Sequence, residues 1–154
     1  MKDTASFGRD LGTASRRLVL EIGLLDLATR LADAEAPMAA LLDAPSDGPL
    51  IERVLADLRA IAGSAETHTQ LRVAAVGHCA AAALESGALS PASDGPALAA
   101  LLQRAHELMT VLVHDAIRQL DGHAAAALEG AVDAFIDHAS TMAWRWTARG
   151  QPVH

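Results

Sequence analysis

Aromatic and basic side chains are scarce in this sequence. Its 154 residues include two Phe, two Trp and no Tyr. Lysine occurs once, at Lys2, and the arginines are scattered among 19 acidic residues, so that the formal net charge is −7. Nucleic-acid-binding proteins neutralise phosphates with clustered basic side chains, and many stack bases on aromatic rings. We therefore expect no nucleic-acid partner.

Cysteine and long apolar runs are also lacking. Cys79 is the single cysteine, which excludes an internal disulfide and a site built from several thiolates, and is typical of a reducing compartment. Charged residues interrupt the longer apolar runs, as Glu21 and Asp26 do in the run that begins at Leu18. No segment has the apolar length of a signal peptide or of a membrane span. We expect a cytoplasmic protein with no membrane partner.

Alanine and leucine dominate what is present. The chain has 51% hydrophobic and 20% charged residues, a composition far from that of disordered segments. Its length suits one domain. We expect a single domain over residues 13–148, preceded by a partly flexible N-terminal segment, 1–12, and followed by a tail, 149–154.

The spacing of Gly, Pro, Ser and Asp divides the chain into helical blocks, and runs of alternating β-branched residues are nearly absent. This pattern predicts an all-α fold: an antiparallel bundle of four to five long helices plus one short helix. The predicted long helices cover approximately 13–34, 47–63, 67–87, 96–120 and 123–148, and the short one covers 37–42.

Two predicted helices begin with the same tetrapeptide, Ser-Asp-Gly-Pro, at 46–49 and at 93–96. Asp47 is the expected N-cap, and a proline suits the first turn that follows it. The repeat indicates either the same helix-start chemistry used twice or a duplicated unit. Thr67 and Gln70, three residues apart, resemble a capping box for the third long helix.

The first predicted helix carries two apolar seams on nearly opposite sides. The seams consist of Leu11, Leu18, Ile22 and Leu25, and of Leu20, Leu24, Leu27 and Leu31. One seam is enough for an intramolecular core, so that a second indicates a central position in the bundle or a partner surface. We expect the seam from Leu20 to Leu31 to form the interface of a twofold homodimer, or to bind another protein.

The third predicted helix is built largely from small residues, with Gly77 among alanines between Ala74 and Ala83. Small side chains allow the axes of neighbouring helices to approach closely, or leave space for a flat ligand. Close packing is the simpler interpretation.

His78 and Glu85 are seven residues apart and therefore share a helix face. With His106 and His138 on neighbouring helices, they could hold a transition metal or a haem in the bundle interior. The alternative is that His78 and Glu85 satisfy each other, while the other two histidines lie at core boundaries with polar tips in water. Glu-x-x-His, His-x-x-x-His and Cys-x-x-Cys are all missing from the sequence. Conventional di-iron, zinc and thiol-redox motifs are thereby excluded.

Three functions are compatible with these observations. No spacing in the sequence aligns a nucleophile, a base and an orienting group. Our first hypothesis is therefore a non-enzymatic binding or adaptor protein that is homodimeric through its first helix, and catalytic activity is left open. The second is a metal- or haem-binding sensor or redox protein. The third is a maturation chaperone for a larger enzyme, because residues 134–146, AFIDHASTMAWRW, resemble a late helix of the chaperones that mature molybdoenzymes.

Overall fold

A computed structural model describes residues 4–90, 94–120 and 127–150 of the chain, with side chains at 12, 15–90, 94–120 and 130–147. Over these ranges every regular element is helical, which confirms the predicted all-α bundle. The helices are α1 (Thr4–Asp43), α2 (Gly48–Thr67), α3 (Leu71–Leu89), α4 (Gly95–Gln119) and α5 (Ala127–Gly150). None of them, within the described ranges, is long and apolar enough to cross a membrane.

α1 is longer than the sequence pattern predicts. It begins at Thr4 rather than near Thr13, and it continues through Pro37 for 40 residues, so that the separate short helix at 37–42 is wrong. Proline removes one backbone hydrogen bond from a helix interior. Met38 and Leu41, which follow the proline, are buried in the core, and this packing keeps the last turns of α1 on the bundle.

The repeated Ser-Asp-Gly-Pro tetrapeptide starts α2 and α4 in the same way. A carboxylate oxygen of Asp47 accepts a hydrogen bond from the backbone N–H of Leu50 at 3.1 Å. Asp94 accepts one from the N–H of Ala97 at 3.3 Å. In both helices the following proline lies in the first turn. The predicted helix-start chemistry is therefore confirmed at both places.

The predicted capping box at the start of α3 is wrong. Thr67 is the last residue of α2, and its hydroxyl donates to the carbonyl of Gly63 inside that helix at 3.0 Å. Gln70 precedes α3 but makes no side-chain capping bond. Between the helices, Thr69 has a φ of 56°. The turn therefore reverses the chain through a left-handed residue.

Four helices form a closed ring, and the fifth lies outside it. α1 packs against α2 and α4, and α3 packs against α2 and α4, which closes the ring. α5 packs mainly on α3 and meets α4 only lightly. The core is one apolar cluster to which all five helices contribute. α3 thus has three neighbours, whereas α1 has two.

Small residues let α3 approach its neighbours closely. A Cβ on Gly77 would lie 3.2 Å from the Cβ of Ala62 in α2. A Cβ on Gly87 would lie 2.8 Å from Leu98 of α4 and 3.3 Å from Trp146 of α5. Both glycines are buried. These contacts favour the close-packing interpretation of the alanine-rich helix.

A polar contact joins α1 to α2. The Ser64 hydroxyl donates to Oδ2 of Asp26 at 2.7 Å, and Arg30 donates to the same oxygen at 3.0 Å. The Ser64 hydrogen bond, reinforced by Arg30, lowers the pKa of Asp26 below its usual value of 3.8. Because the folded-state pKa is depressed, the stabilisation is present above pH 3.8 and is lost as the pH falls through the lower folded-state value.

We expect Ser64→Ala to raise the pKa of Asp26 toward 3.8 and to lower the free energy of unfolding at pH 7. The loss is about 1 kcal/mol, the net contribution of one hydrogen bond. Carboxyl NMR titration and urea unfolding measure the two effects. Thr67→Ala is the control, since that hydroxyl bonds only within α2. An unchanged Asp26 titration in Ser64→Ala would contradict the assignment.

Candidate interaction surface

One side of α1 exposes four large aliphatic side chains within about two turns. Leu18 is 57% exposed, Val19 63%, Ile22 57% and Leu25 61%. Leu18, Ile22 and Leu25 follow the 4-3 spacing of a helix that packs against another helix. Leu11, which the sequence places on the same seam, lies outside the residues whose side chains are described. Contiguous apolar clusters are uncommon on the surfaces of monomeric proteins, which makes this one the candidate interaction surface.

The seam predicted as the interface faces the core instead. Leu24 and Leu27 have no exposed surface, Leu31 is buried, and Leu20 packs half-buried against the same cluster. Gly23 permits the rotation of α1 that this requires, because a Cβ there would lie 2.5 Å from the ring of His68, the residue that follows α2. That rotation turns Leu24 inward and Leu25 outward. The candidate interface therefore moves to the opposite seam.

α1 also extends beyond the helices that flank it. Its 40 residues span about 60 Å at 1.5 Å per residue, whereas the 25 residues of α4 span about 37 Å. α2 ends at Thr67, next to the His68 that meets Gly23, and Leu120 at the end of α4 lies beside Arg17 and Leu25. Residues 4–16 of α1 thus continue past the ends of both neighbours.

The exposed seam of α1 continues onto α4. One surface depression is lined by Leu25 of α1 together with Ile117 and Leu120 of α4. An adjoining depression contains Val111, 45% exposed, and shares Ile117. The apolar surface is therefore wider than one helix. We call it the α1/α4 face, and its residues are Leu18, Val19, Ile22, Leu25, Val111 and Ile117.

Charges of both signs border the α1/α4 face. Arg17 donates to Glu21 at 3.2 Å, and Arg118 lines the depression beside Val111 and Ile117. The Arg17 and Glu21 side chains are about half exposed. Pairs of this kind contribute little to stability in water. Because the border carries charges of both signs, two copies of this face can meet with opposite charges opposed. A border of one sign would repel its copy.

His78 and Glu85 do not meet each other. The imidazole of His78 pairs through Nε2 with Oε1 of Glu66, and Glu85 accepts a hydrogen bond from Arg59 at 3.0 Å. Both pairs join α3 to α2 at positions where the side chains are about half exposed. The sequence pattern places His78 and Glu85 on one face of α3, but their partners belong to the neighbouring helix.

His106 and His138 lie elsewhere in the bundle. His106 of α4 donates from Nε2 to the backbone carbonyl of Leu31 in α1 at 2.6 Å. His138 is exposed on α5, beside a groove between α4 and α5. The four candidate ligands are thus distributed over three places. Among the residues with described positions, no three His, Cys, Asp or Glu side chains are grouped closely enough to hold a metal.

Cys79 is half-buried between α3 and α5. Burial raises the pKa of its thiol, and a hydrogen bond with Ser140 partly opposes that rise. The thiolate is the reactive form of cysteine. Cys79 is therefore mostly protonated at neutral pH, as expected of a packing residue.

The groove between α4 and α5 is a feature that the sequence did not indicate. Its volume is about 520 Å³, and Leu101 and Phe135 form its floor. It exists because both helices pack on α3 without closing on each other. The alanines at helical spacing on α4 and α5 could have indicated a groove. Alanine is frequent throughout this chain, so that its presence there does not distinguish these two helices.

Comparisons with known proteins supply no relative: no protein-family profile, no curated protein and no solved structure matches this chain. The function of the protein must therefore be inferred from the chemistry of its described surface.

Proposed function

We propose that this protein is a non-enzymatic helical-bundle binding or adaptor protein that acts as a homodimer through the α1/α4 face. The observation that carries the proposal is the exposure of Leu18, Ile22 and Leu25 at the spacing of a helix-packing seam. Removal of these side chains from water provides about 25 cal/mol per Å² before association costs are subtracted. An apolar surface of this kind has an unfavourable free energy in water unless another surface covers it.

A second copy of the chain is the occupant that best suits this face. In a twofold, antiparallel pairing of two α1 helices about Ile22, Leu18 of each copy lies near Leu25 of the other, so that one patch is complementary to itself. A specific interface needs about 800 Å² per partner, more than a few side chains provide. The adjoining surface of α4, with Val111 and Ile117, provides additional area.

The test is the mass of the protein in solution, measured by sedimentation equilibrium. We expect a dimer for the wild type and a monomer with unchanged helicity for Ile22→Glu combined with Leu25→Glu, because two charges would be buried at the centre of the interface. The dissociation constant should rise at least a hundredfold, since each central side chain contributes more than about 1.4 kcal/mol.

Leu89→Glu is the matched control. Leu89 is 81% exposed on α3, and its replacement adds one charge of the same sign away from the α1/α4 face. It should leave the dimer intact. A wild-type monomer over the whole micromolar range, or a dimer that survives the double replacement, would sink the proposal.

A further inference from the structure

The groove between α4 and α5 has small residues on both of its walls. Ala97 and Ala100 of α4 and Ala131 and Ala134 of α5 line it, together with the largely buried Leu101 and Phe135. Its volume of about 520 Å³ lies within the range of small-molecule sites. The walls of the groove are therefore apolar and formed by short side chains, which suits a narrow hydrocarbon chain better than a bulky ring.

Two nitrogen-bearing side chains interrupt this apolar lining, and they lie at a similar depth along it. Leu98 of α4 and Trp146 of α5 both lie beside Gly87 of α3, which gives a common reference level for the two helices. Arg104 follows Leu98 by six residues, about 9 Å of helix, and His138 precedes Trp146 by eight residues, about 12 Å. Both side chains line the same groove from opposite helices. A ligand group at this level can thus be approached from both walls.

Among the described residues, no carboxylate forms an ion pair with Arg104. The ion pairs present there involve other arginines. In a protein with a net charge of −7, a guanidinium at an apolar groove without a carboxylate partner offers a local site for an anion. The planar guanidinium matches the geometry of a carboxylate, to which it can donate two parallel hydrogen bonds.

We propose that the groove between α4 and α5 binds an amphiphile that has one carboxylate and an unbranched alkyl chain. The carboxylate accepts hydrogen bonds from Arg104 and from a ring N–H of His138. The alkyl chain lies on the alanine walls and contacts Leu101, Phe135 and Met142. The groove lies where α4 meets α5, whereas the proposed dimer interface lies where α4 meets α1. Ligand binding in the groove is therefore a separate property from the proposed dimer and does not depend on it.

Methionine methyl groups supply a site-resolved test. The chain has four methionines, of which Met142 lines the groove, whereas Met38 and Met109 are buried in the core. In the full-length protein with ¹³C-labelled methionine methyls, titration with decanoate should shift the Met142 signal in a saturable way and leave those of Met38 and Met109 in place. Decanol has the same chain without the charge, and we expect it to bind about fivefold more weakly.

Two variants separate the head group from the chain. Arg104→Gln should reduce the affinity for decanoate to that for decanol and leave decanol binding unchanged, whereas Arg53→Gln on α2, which has no contact with α4 or α5, should change neither. Ala134→Phe should abolish binding of both ligands, because the ring fills the groove from an exposed position that the fold tolerates. Ala56→Phe, at an exposed position of α2, is its control.

Three results would overturn the proposal. The first is a Met142 signal that does not move with decanoate. The second is equal affinity for decanoate and decanol, which would remove the role of Arg104. The third is dissociation of the dimer by Ala134→Phe, since the groove would then be occupied by a second copy of the chain. The failure of the proposed dimer is recognised separately, by a monomeric mass with the ligand response intact.

Discussion

We expect Leu24→Asp to unfold the protein, whereas the same replacement at the next residue, Leu25, leaves the helical fold of each chain intact. Leu24 has no exposed surface and lies in the core that α1 shares with its neighbours. Truncation of a buried leucine alone costs about 2 to 5 kcal/mol, and an unpaired carboxylate in its place adds a desolvation penalty. The sum is comparable with the whole stability of an ordinary domain, about 5 to 15 kcal/mol.

Far-UV circular dichroism and thermal unfolding measure this difference. Within one chain Leu25 is 61% exposed, so that an aspartate there changes the stability of the monomeric fold by about 0.5 kcal/mol or less. Any further loss of thermal stability reflects dissociation of the proposed dimer and depends on the protein concentration. The pair shares the helix, the residue type and the substitution, and differs in the direction of the side chain. Retention of the helical spectrum by Leu24→Asp, or its loss in Leu25→Asp, would contradict the observed rotation of α1.

The second large effect is expected where Trp146 of α5 meets α3 and α4. Trp146 is 5% exposed and packs against Gly87, where α3, α4 and α5 converge. The hydroxyl of Ser90 donates to the backbone carbonyl of Trp146 at 2.9 Å. We expect Trp146→Ala to lower the free energy of unfolding by about 3 to 5 kcal/mol, because it leaves a large cavity at this junction.

The loss of stability in Trp146→Ala should be concentrated in α5. That helix packs mainly on α3 and only lightly on α4, so that few other contacts hold it when the indole is removed. Hydrogen exchange should become faster in α5 than in α1. Trp144→Ala is the matched control: Trp144 is 72% exposed and its removal should have little effect on stability. Equal losses in the two variants would show that Trp146 does not anchor α5.

Local features of the fold were predictable because they depend on neighbouring residues. The carboxylates of Asp47 and Asp94 cap helices through backbone N–H groups three residues away, and the same tetrapeptide therefore produces the same start twice. Where a longer-range contact competes with such a signal, the prediction is wrong: Thr67 caps nothing because α2 continues to it. The helix through Pro37 is a second example, since core burial of the residues after it outweighs a weakened hydrogen-bond ladder.

The candidate sites were less predictable, because they depend on partners far away in the sequence. His78 and Glu85 share a face of α3, but His78 pairs with Glu66 and Glu85 with Arg59 once α2 is packed alongside. No spacing within α3 contains that information. The groove beside Arg104 and His138 likewise exists only because α4 and α5 separate on α3.

The sequence by itself determined that this protein is a bundle of long helices and that its first helix has two leucine seams, since helical periodicity is a property of the local chain. Only the tertiary structure decided which seam is covered. A helix with apolar residues on two sides can be rotated either way, and the choice depends on the steric match with its neighbours. Here Leu24, Leu27 and Leu31 pack into the shared core and Leu25 stays exposed, an orientation that the absence of a side chain at Gly23 opposite His68 permits.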